Sequence, residues 1–437
     1  MAKVICTELQ KDGASGPNIT LDTSKNVTCE NNLQVDGNVT VTGTLPADKL
    51  TGALPAISGA SLTGISSSPP AFRNIFVNGD MRIAQRSTAA VASQNPQTTD
   101  RFYYDKGGTD ENPTQERRAL TSSDTGPWAK GFKYCFKITN GNQSSGPGAS
   151  DYIRFKTTVE ARDLKTSGWL YNDTNSKLTI SFWVRTSISQ RFYCALRTDD
   201  GTAQHYAFPF TPAANTWTYV THSIPGAAGL QFDDNAGSGI MFQWYPFVGT
   251  TWTNESFTEN TWAAYSSTSQ TKDYDGDDND WYAGNDATWE ITGCQLEVAD
   301  TATDFEFRPY SDELLRCQRY YYVHVDAGNS EWDTHGDADK QTIGVGANYQ
   351  DTNAGCAVKF PVKMRVTPGI VAEAGADYYM VYGNGATANI DGTLSMWNSN
   401  PNEAFLEGTL DGGLGGGTAT RWTTNNNAAR IAFDAEF

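Results

Sequence analysis

The sequence lacks the residue patterns on which many enzymes and exported domains depend. Its seven cysteines are odd in number, widely spaced and without a CxxC pair, which argues against both a zinc site and a disulfide framework. Only four histidines occur, and none of them has a metal-binding spacing such as HExxH. The GxSxG nucleophile motif and the GxxxxGK[ST] phosphate loop are also missing. We therefore expect buried, reduced cysteines and a protein that is not an enzyme.

Long apolar runs and an excess of positive charge are missing as well. No run approaches the roughly 18 apolar residues of a membrane span, and the first residues do not form a signal peptide. We therefore expect synthesis in a cytoplasm without export and no insertion into a membrane. The formal charge is −18, from 50 acidic and 32 basic side chains. Because such a surface repels phosphate, nucleic acid is not an expected partner.

Aromatic residues are missing from the first 68 positions, although they make up 12% of the whole chain. This part has a short apolar alternation from Leu33 to Val41 and a degenerate repeat from Leu45 to Gly64. It has too little apolar bulk to close a core alone. The sequence predicts that residues 1–70 form an extended segment that becomes ordered in an oligomer, with a disordered linker as the alternative.

The remainder has the composition of a mainly β protein, with short apolar runs separated by Gly and Asn turns. We predict a jelly-roll β-sandwich over residues 71–310. Its strand candidates are Leu178–Arg185, Thr216–Val220, Gly239–Trp244 and Trp289–Val298. In the first of them, alternate residues predict one buried face, formed by Leu178, Ile180, Phe182 and Val184.

A short helix is predicted to connect this sandwich to a smaller C-terminal β-domain. The connector covers residues 311–319, with Pro309 before it, Ser311 as its cap and acidic residues in its first turn. The C-terminal domain covers residues 320–437. Its predicted strands are Tyr320–Val325, Ala357–Val366 and Arg430–Phe437, and a glycine-rich loop at Gly412–Gly417 precedes the last of them.

Four sequence motifs resemble those of tail-fibre and related virion proteins of tailed bacteriophages. They are NIFVNGDMRIAQR at 74–86, GCQLEV at 293–298 followed by AT and FE, RCQRYY at 316–321, and FPVKMRVTP at 360–368. Together they span residues 72–370, and their order and combination carry the resemblance. The resemblance implies a homotrimer with a module like a carbohydrate-binding module, and it implies that residues 1–70 contact other virion proteins. It does not distinguish a tail, neck or capsid fibre.

Two groups of residues are candidates for binding. Aromatic rings stack on the C–H faces of sugars, and several aromatic residues lie in polar, loop-like sequence. The candidates for glycan contact are Trp244, Tyr245, Trp252, Trp262, Trp281 and Tyr282, with a role in covering the sandwich or in subunit contact as the alternative. A dense acidic loop offers oxygen ligands for Ca²⁺ at Asp273, Asp275, Asp277 and Asp280, although its spacing is not that of an EF-hand. The alternative for this loop is a solvated acidic turn.

The sequence thus predicts a structural virion appendage that binds a host surface or its glycans. A neck, collar or capsid fibre without receptor binding is the first alternative. A polysaccharide depolymerase is the second, because two carboxylates suffice for glycoside hydrolysis. The regular repeats of a long parallel β-helix, on which such enzymes are usually built, are absent.

Overall fold

The chain forms two compact units, residues 1–67 and 68–437. The computed structural model describes residues 73–273, 280–328 and 340–437, and in the first unit only the backbone of three short strands. These are β1 (Glu8–Leu9), β2 (Ile19–Leu21) and β3 (Val27–Cys29), which pair antiparallel in that order. The predicted alternation at 33–41 and the repeat at 45–64 lie outside the described residues.

The second unit begins with an antiparallel β-sandwich. Its strands are β4 (Tyr103–Gly107), β5 (Thr114–Ala119), β6 (Tyr134–Thr139), β7 (Tyr152–Glu160), β8 (Lys177–Thr186), β9 (Phe192–Thr198), β10 (Gln204–Phe210), β11 (Thr218–Pro225), β12 (Ser238–Val248), β13 (Ala263–Ala264) and β14 (Thr288–Val298). One sheet has six strands in the order β13-β10-β9-β12-β7-β4, and the other has five in the order β11-β8-β14-β6-β5. Two short helices, α1 (Ala161–Lys165) and α2 (Asp280–Ala283), lie in the connections.

The core of the sandwich is aromatic. Phe155 on β7 packs between two tryptophans, with its ring centroid 5.3 Å from those of Trp244 and Trp289. The predicted alternation on β8 is confirmed, because its four apolar residues are fully buried in this core. Since alternate residues of a strand face opposite sides, the same register places Trp183 on the outer surface of the five-stranded sheet.

A helix follows the sandwich, as the sequence predicted. Helix α3 spans Tyr310–Gln318, and Asp312 and Glu313 lie in its first turn. The predicted cap is wrong: Pro309 occupies the N-cap position, without a side-chain cap hydrogen bond, and Ser311 lies inside the helix. The helix therefore begins two residues earlier than a cap at Ser311 would place it. In the described part of the chain, no helix is long and apolar enough to cross a membrane.

Within residues 321–328 and 340–437, the C-terminal part forms nine strands. They are β15 (Tyr321–Asp326), β16 (Thr342–Gln350), β17 (Asn353–Lys359), β18 (Gly369–Ala372), β19 (Tyr379–Gly383), β20 (Ala386–Asn400), β21 (Glu403–Leu410), β22 (Ala419–Thr424) and β23 (Arg430–Asp434). Six form a closed barrel in the order β16-β17-β21-β20-β19-β22, and β23 pairs with β15 and β18. The strand predicted at Ala357–Val366 ends at Lys359, because Pro361 has no N–H for a ladder hydrogen bond.

Motif residues fix the barrel to the sandwich. Glu160, at the end of β7, accepts hydrogen bonds from Arg319 Nε and Nη2 at 2.6 and 2.7 Å and from the Tyr320 hydroxyl at 2.7 Å. Arg365 donates to the main-chain oxygen of Ala236 in the sandwich at 3.0 Å, and to those of Ala435 and Glu436 at 2.7 and 2.6 Å. Because Glu160 is completely buried, its charge requires this pairing. The residues of the RCQRYY and FPVKMR motifs are thus part of the joint between the two parts.

The other two motifs meet beside β14. The main-chain N–H of Asn74 donates to Glu306 at 2.8 Å, and Asn74 Oδ1 accepts from the Leu296 N–H at 3.0 Å. Arg308 pairs with Glu313 of α3 at 3.2 Å. These side chains make their polar contacts inside the protein, so their role here is to hold the chain entry, the last strand and the helix together.

Candidate functional site

The structure buries four of the six aromatic residues that the sequence offered for glycan contact. Trp244 and Trp281 are fully buried, Tyr245 is 4% exposed and Tyr282 is 1% exposed. Trp281 donates through its indole N–H to the Thr288 carbonyl at 2.9 Å, and the Tyr282 hydroxyl donates to Asp151 at 2.8 Å. Their burial does not favour the predicted glycan contact: Trp244, Trp281 and Tyr282 belong to the core of the sandwich, and Tyr245 packs with Phe257.

The remaining two of these residues are half-buried and lie apart. Trp252 donates its indole N–H to the Ser150 carbonyl at 3.1 Å. Trp262 donates to the Pro225 carbonyl at 2.8 Å and packs on Tyr206, with the ring centroids 5.3 Å apart. The structure therefore does not assemble the six residues into one binding surface.

The acidic loop is described only at its two ends. Asp273 is half-buried and lines a cavity of about 360 Å³ that Arg191 and Lys272 also line. Asp280 is exposed in α2, and Asp275 and Asp277 lie outside the described residues. Among the residues that are described, no group of three or more His, Cys, Asp or Glu is arranged to hold a metal ion.

A different group of aromatic residues forms an open cleft on the outer face of the five-stranded sheet. Trp183 on β8 lies directly opposite Tyr219 on β11, and their ring centroids are 5.0 Å apart at an interplanar angle of 39°. Trp183 is half-buried, and Tyr219 is 44% exposed. The cleft has a volume of about 490 Å³, within the usual range for small-ligand sites.

Three phenylalanines form the neighbouring wall. Phe132 lies 4.9 Å from Phe305 and 5.0 Å from Phe307, centroid to centroid, and the latter two are 4.9 Å apart. Phe132 is almost fully buried, whereas Phe307 is 46% exposed. The wall therefore has a fixed base and an open edge.

Backbone geometry makes room for these rings. Gly293 lies at a bulge in β14, between Thr292 and Gln295, and has a φ of +65°. A Cβ at this position would lie 2.8 Å from the Phe132 ring and 3.2 Å from the Trp183 ring. A larger residue would have to displace one of the two rings, so the bulge and the glycine both serve the shape of the cleft.

The rim of the cleft is polar but electrically balanced. Lys130 and Asp304 form an ion pair at 3.8 Å, with side chains 63% and 97% exposed. Ser181 lies in the floor and is 2% exposed. An exposed ion pair contributes little to stability, so both charged groups can turn to the hydroxyls of a ligand at small cost.

Beyond Trp183 on the same face of β8, buried charges are paired with one another. Asp124 accepts hydrogen bonds from Arg118 at 2.8 Å and from the Trp217 indole at 3.1 Å, and Arg185 lies 3.0 Å away. Burial opposes the charge on Asp124, but the hydrogen bonds from Arg118, the Thr121 N–H and Trp217 outweigh it and hold its pKa well below the usual range. This network fixes the surface next to the cleft and stays ionised at neutral pH.

These features define a site for stacking. Flat, partly exposed rings present apolar faces, and hydroxyl, ammonium and carboxylate groups lie at the border. A pyranose ring has one apolar C–H face and a rim of hydroxyls, which matches this arrangement. Burial raises the pKa of the Tyr219 phenol above its ordinary value, so its hydroxyl remains a neutral donor and acceptor.

Sequence reasoning missed this cleft although one signal for it was present. On β8 the apolar residues alternate with Ser181, Trp183 and Arg185, so the tryptophan is the aromatic exception on the solvent side. Tyr219 is a second exposed aromatic residue on a neighbouring strand. The pairing of these two strands and the approach of Phe305 were not readable from the sequence.

Comparison with known proteins gives only distant likenesses. No protein-family profile and no curated protein matches the chain. Among solved structures, the enzymatically active domain of tailspike protein 4 of bacteriophage CBA120 matches 52% of this chain at 10% identity, with a TM-score of 0.28. This chain spans 21% of the length of that tailspike domain.

Two solved structures of carbohydrate-binding modules are likewise similar. The family 11 module from Clostridium thermocellum, solved with a mixed-linked β-1,3-1,4 tetrasaccharide, matches 46% of this chain and 89% of its own at 11% identity and a TM-score of 0.23. The tandem CBM22 domains of Xyn10C from Paenibacillus barcinonensis match 85% of this chain and 98% of their own at 9% identity and a TM-score of 0.25. At such values the functional conclusion must rest on the residues of the site.

Proposed function

We propose that this protein binds carbohydrate without hydrolysing it, as the adhesive part of a virion fibre of a tailed phage. The observation that supports binding is the open cleft formed by Trp183, Tyr219 and the phenylalanine wall, because exposed aromatic side chains in a concave surface are costly unless a ligand covers them.

The carboxyl groups of the cleft favour binding over hydrolysis. Glycosidases place two carboxyl groups on opposite sides of the scissile bond, about 5–10 Å apart. Asp304 is the one carboxylate among the residues that line the cleft in the described part of the chain. Glu297 is buried and accepts hydrogen bonds from the N–H and hydroxyl of Thr303 at 2.9 and 2.6 Å, so it is not available to a ligand.

The proposal is tested by glycan binding of the whole chain and of cleft variants. Isothermal titration with soluble oligosaccharides and pull-down on host cells should show binding that Tyr219→Ser and Phe307→Ser weaken about tenfold each, since each removes a stacking contact. Tyr349→Ser, which changes a similarly exposed aromatic residue on β16, is the control and should leave binding unchanged. Shortening of a host polysaccharide on incubation would instead identify a depolymerase.

The proposal extends to architecture and assembly. The two antiparallel sheets are interpreted as a jelly roll, and the fibre as a homotrimer whose residues 1–70 contact other virion proteins. Its support is the set of phage-fibre motifs in the sequence. The same motifs support a place in the virion, without distinguishing a tail, neck or capsid fibre.

A purely structural neck, collar or capsid fibre is the second candidate. The observation that favours it is the use of the motif residues: Asn74, Glu306, Arg319 and Arg365 all make contacts within the protein rather than facing the cleft. Antibody against residues 320–437 would locate the protein on intact virions. A protein without affinity for host cells or glycans, located at the neck or capsid, would support this second role.

A further inference from the structure

We infer that the cleft selects uncharged glycans, and that Asp304 is the residue that rejects anionic ones. This inference rests on the proposed carbohydrate binding and adds the class of sugar. Its basis is the placement of charge around the aromatic floor.

The segment that carries Asp304 is held firmly at the edge of the cleft. The main-chain oxygen of Asp304 accepts hydrogen bonds from Gln295 at 3.4 Å and from Arg73. The next-but-one residue, Glu306, donates its N–H to Gln295 Oε1 at 2.8 Å. Because Gln295 is fully buried, this segment is fixed to the sheet while the Asp304 side chain remains 97% exposed.

Successive side chains of this segment alternate between the cleft and the protein interior, and this alternation decides which of them line the cleft. Phe305 and Phe307 lie on the cleft side, where they form the aromatic wall with Phe132. Glu306 and Arg308 turn into the protein, where they pair at 3.3 Å. The acidic and basic residues next to the phenylalanines are therefore removed from the ligand surface. The charges left at the rim are Lys130 and Asp304, whose sum is zero.

The rim of the cleft has no net charge, whereas the whole chain has a net charge of −18, and both facts disfavour an anionic ligand. A uronate or sulfate group that approaches Lys130 is repelled by the Asp304 carboxylate, which lies 3.8 Å from the Lys130 ammonium. The net negative charge of the protein repels the same group at longer range. A neutral sugar meets neither penalty, and its hydroxyls can accept from the ammonium and donate to the carboxylate. The cleft therefore favours neutral hexose or pentose chains over acidic polysaccharides.

The test compares neutral and anionic oligosaccharides on the full chain. The neutral probes are cellohexaose, maltohexaose and xylohexaose, and the anionic probes are hexagalacturonate and a chondroitin sulfate hexamer. Tryptophan fluorescence and calorimetry measure the binding of each. At 50 mM salt, the best neutral probe should bind at least about tenfold more tightly than either anionic probe. Asp304→Lys should raise the affinity for the anionic probes about tenfold, and the gain should diminish at 0.5 M salt.

Asp300→Lys is the matched control, because Asp300 is 76% exposed in the same connection and does not line the cleft. If Asp300→Lys raises anionic binding as much as Asp304→Lys, net charge rather than the cleft decides, and the inference is wrong. It is equally wrong if the unchanged protein prefers an anionic probe and Tyr219→Ser abolishes that binding. Absence of binding to every probe and to host cells would instead remove the proposed function, and this inference with it.

Discussion

At the scale of the residue, the environment of a polar side chain in this protein depends on whether its polar atoms find hydrogen-bond partners inside it. His222 shows this: its ring stacks on Phe208 with centroids 4.0 Å apart, and its Nε2 shares a hydrogen bond of 2.8 Å with the Tyr206 hydroxyl. Burial lowers its pKa from 6.5 to about 4. The folded protein therefore holds this ring neutral at pH values where the unfolded chain would protonate it.

This residue gives a prediction for pH. Below pH 6.5 the unfolded chain binds a proton at position 222 that the folded protein does not take up until about pH 4. Stability should therefore fall as the pH falls through this window. Urea unfolding at pH 7.5, 6.5, 5.5 and 4.5 should show a smaller decrease for His222→Gln than for the unchanged chain. An identical decrease in both would mean that the ring titrates normally.

Glu160 gives a second prediction at this scale. Its carboxylate is buried and takes three hydrogen bonds from Arg319 and Tyr320. Glu160→Ala leaves the guanidinium and the hydroxyl without their acceptor, which should cost about 3 kcal/mol of unfolding free energy. Glu403→Ala removes an exposed partner of Lys359 and should leave the urea midpoint unchanged. Equal losses in the two variants would contradict the role of the buried joint.

At the scale of the element, we expect a substitution at the bulge in β14 to change both the free energy of unfolding and the affinity for glycan. Gly293→Ala forces a side chain into the left-handed region and against the rings of Phe132 and Trp183. We expect a loss of roughly 1–3 kcal/mol in unfolding free energy, together with weaker glycan binding because the floor of the cleft moves.

Gly385→Ala is the control that separates the effect of backbone strain from that of contact with the aromatic rings. Gly385 also has a positive φ, +76°, but nothing lies within 4 Å of a Cβ there. This variant should lose stability through backbone strain alone and should keep its affinity for the glycan. Calorimetric titration of both variants at one temperature is the measurement, and intact binding by Gly293→Ala would show that the rings do not form the site.

At the scale of the whole molecule, the sandwich and the barrel have separate cores within one compact unit, residues 68–437. We therefore predict that a chain that begins at Ala71 remains soluble and β-rich, with its circular dichroism unchanged per residue. If residues 1–70 trimerise the fibre or attach it to the virion, the shortened chain should lose these properties. Sedimentation and virion binding measure them, and failure of the shortened chain to fold would refute a separable N-terminal segment.

The sequence by itself determined the mainly β character, the buried face of β8 and the connecting helix. Each of these depends on local periodicity or composition, which the order of residues states directly. The alternation of Leu178, Ile180, Phe182 and Val184 is a property of one strand and needs no partner to be recognised.

Only the tertiary structure decided where the binding surface lies. Whether an aromatic residue in polar sequence is covered depends on which strands and loops pack on it, and this is a long-range property. Trp281 and Tyr282 can be buried because Thr288 and Asp151 accept the hydrogen bonds of their polar atoms. Trp183 was left open because the bulge at Gly293 and the paired strand β11 bring distant rings around it, and no local pattern encodes that meeting.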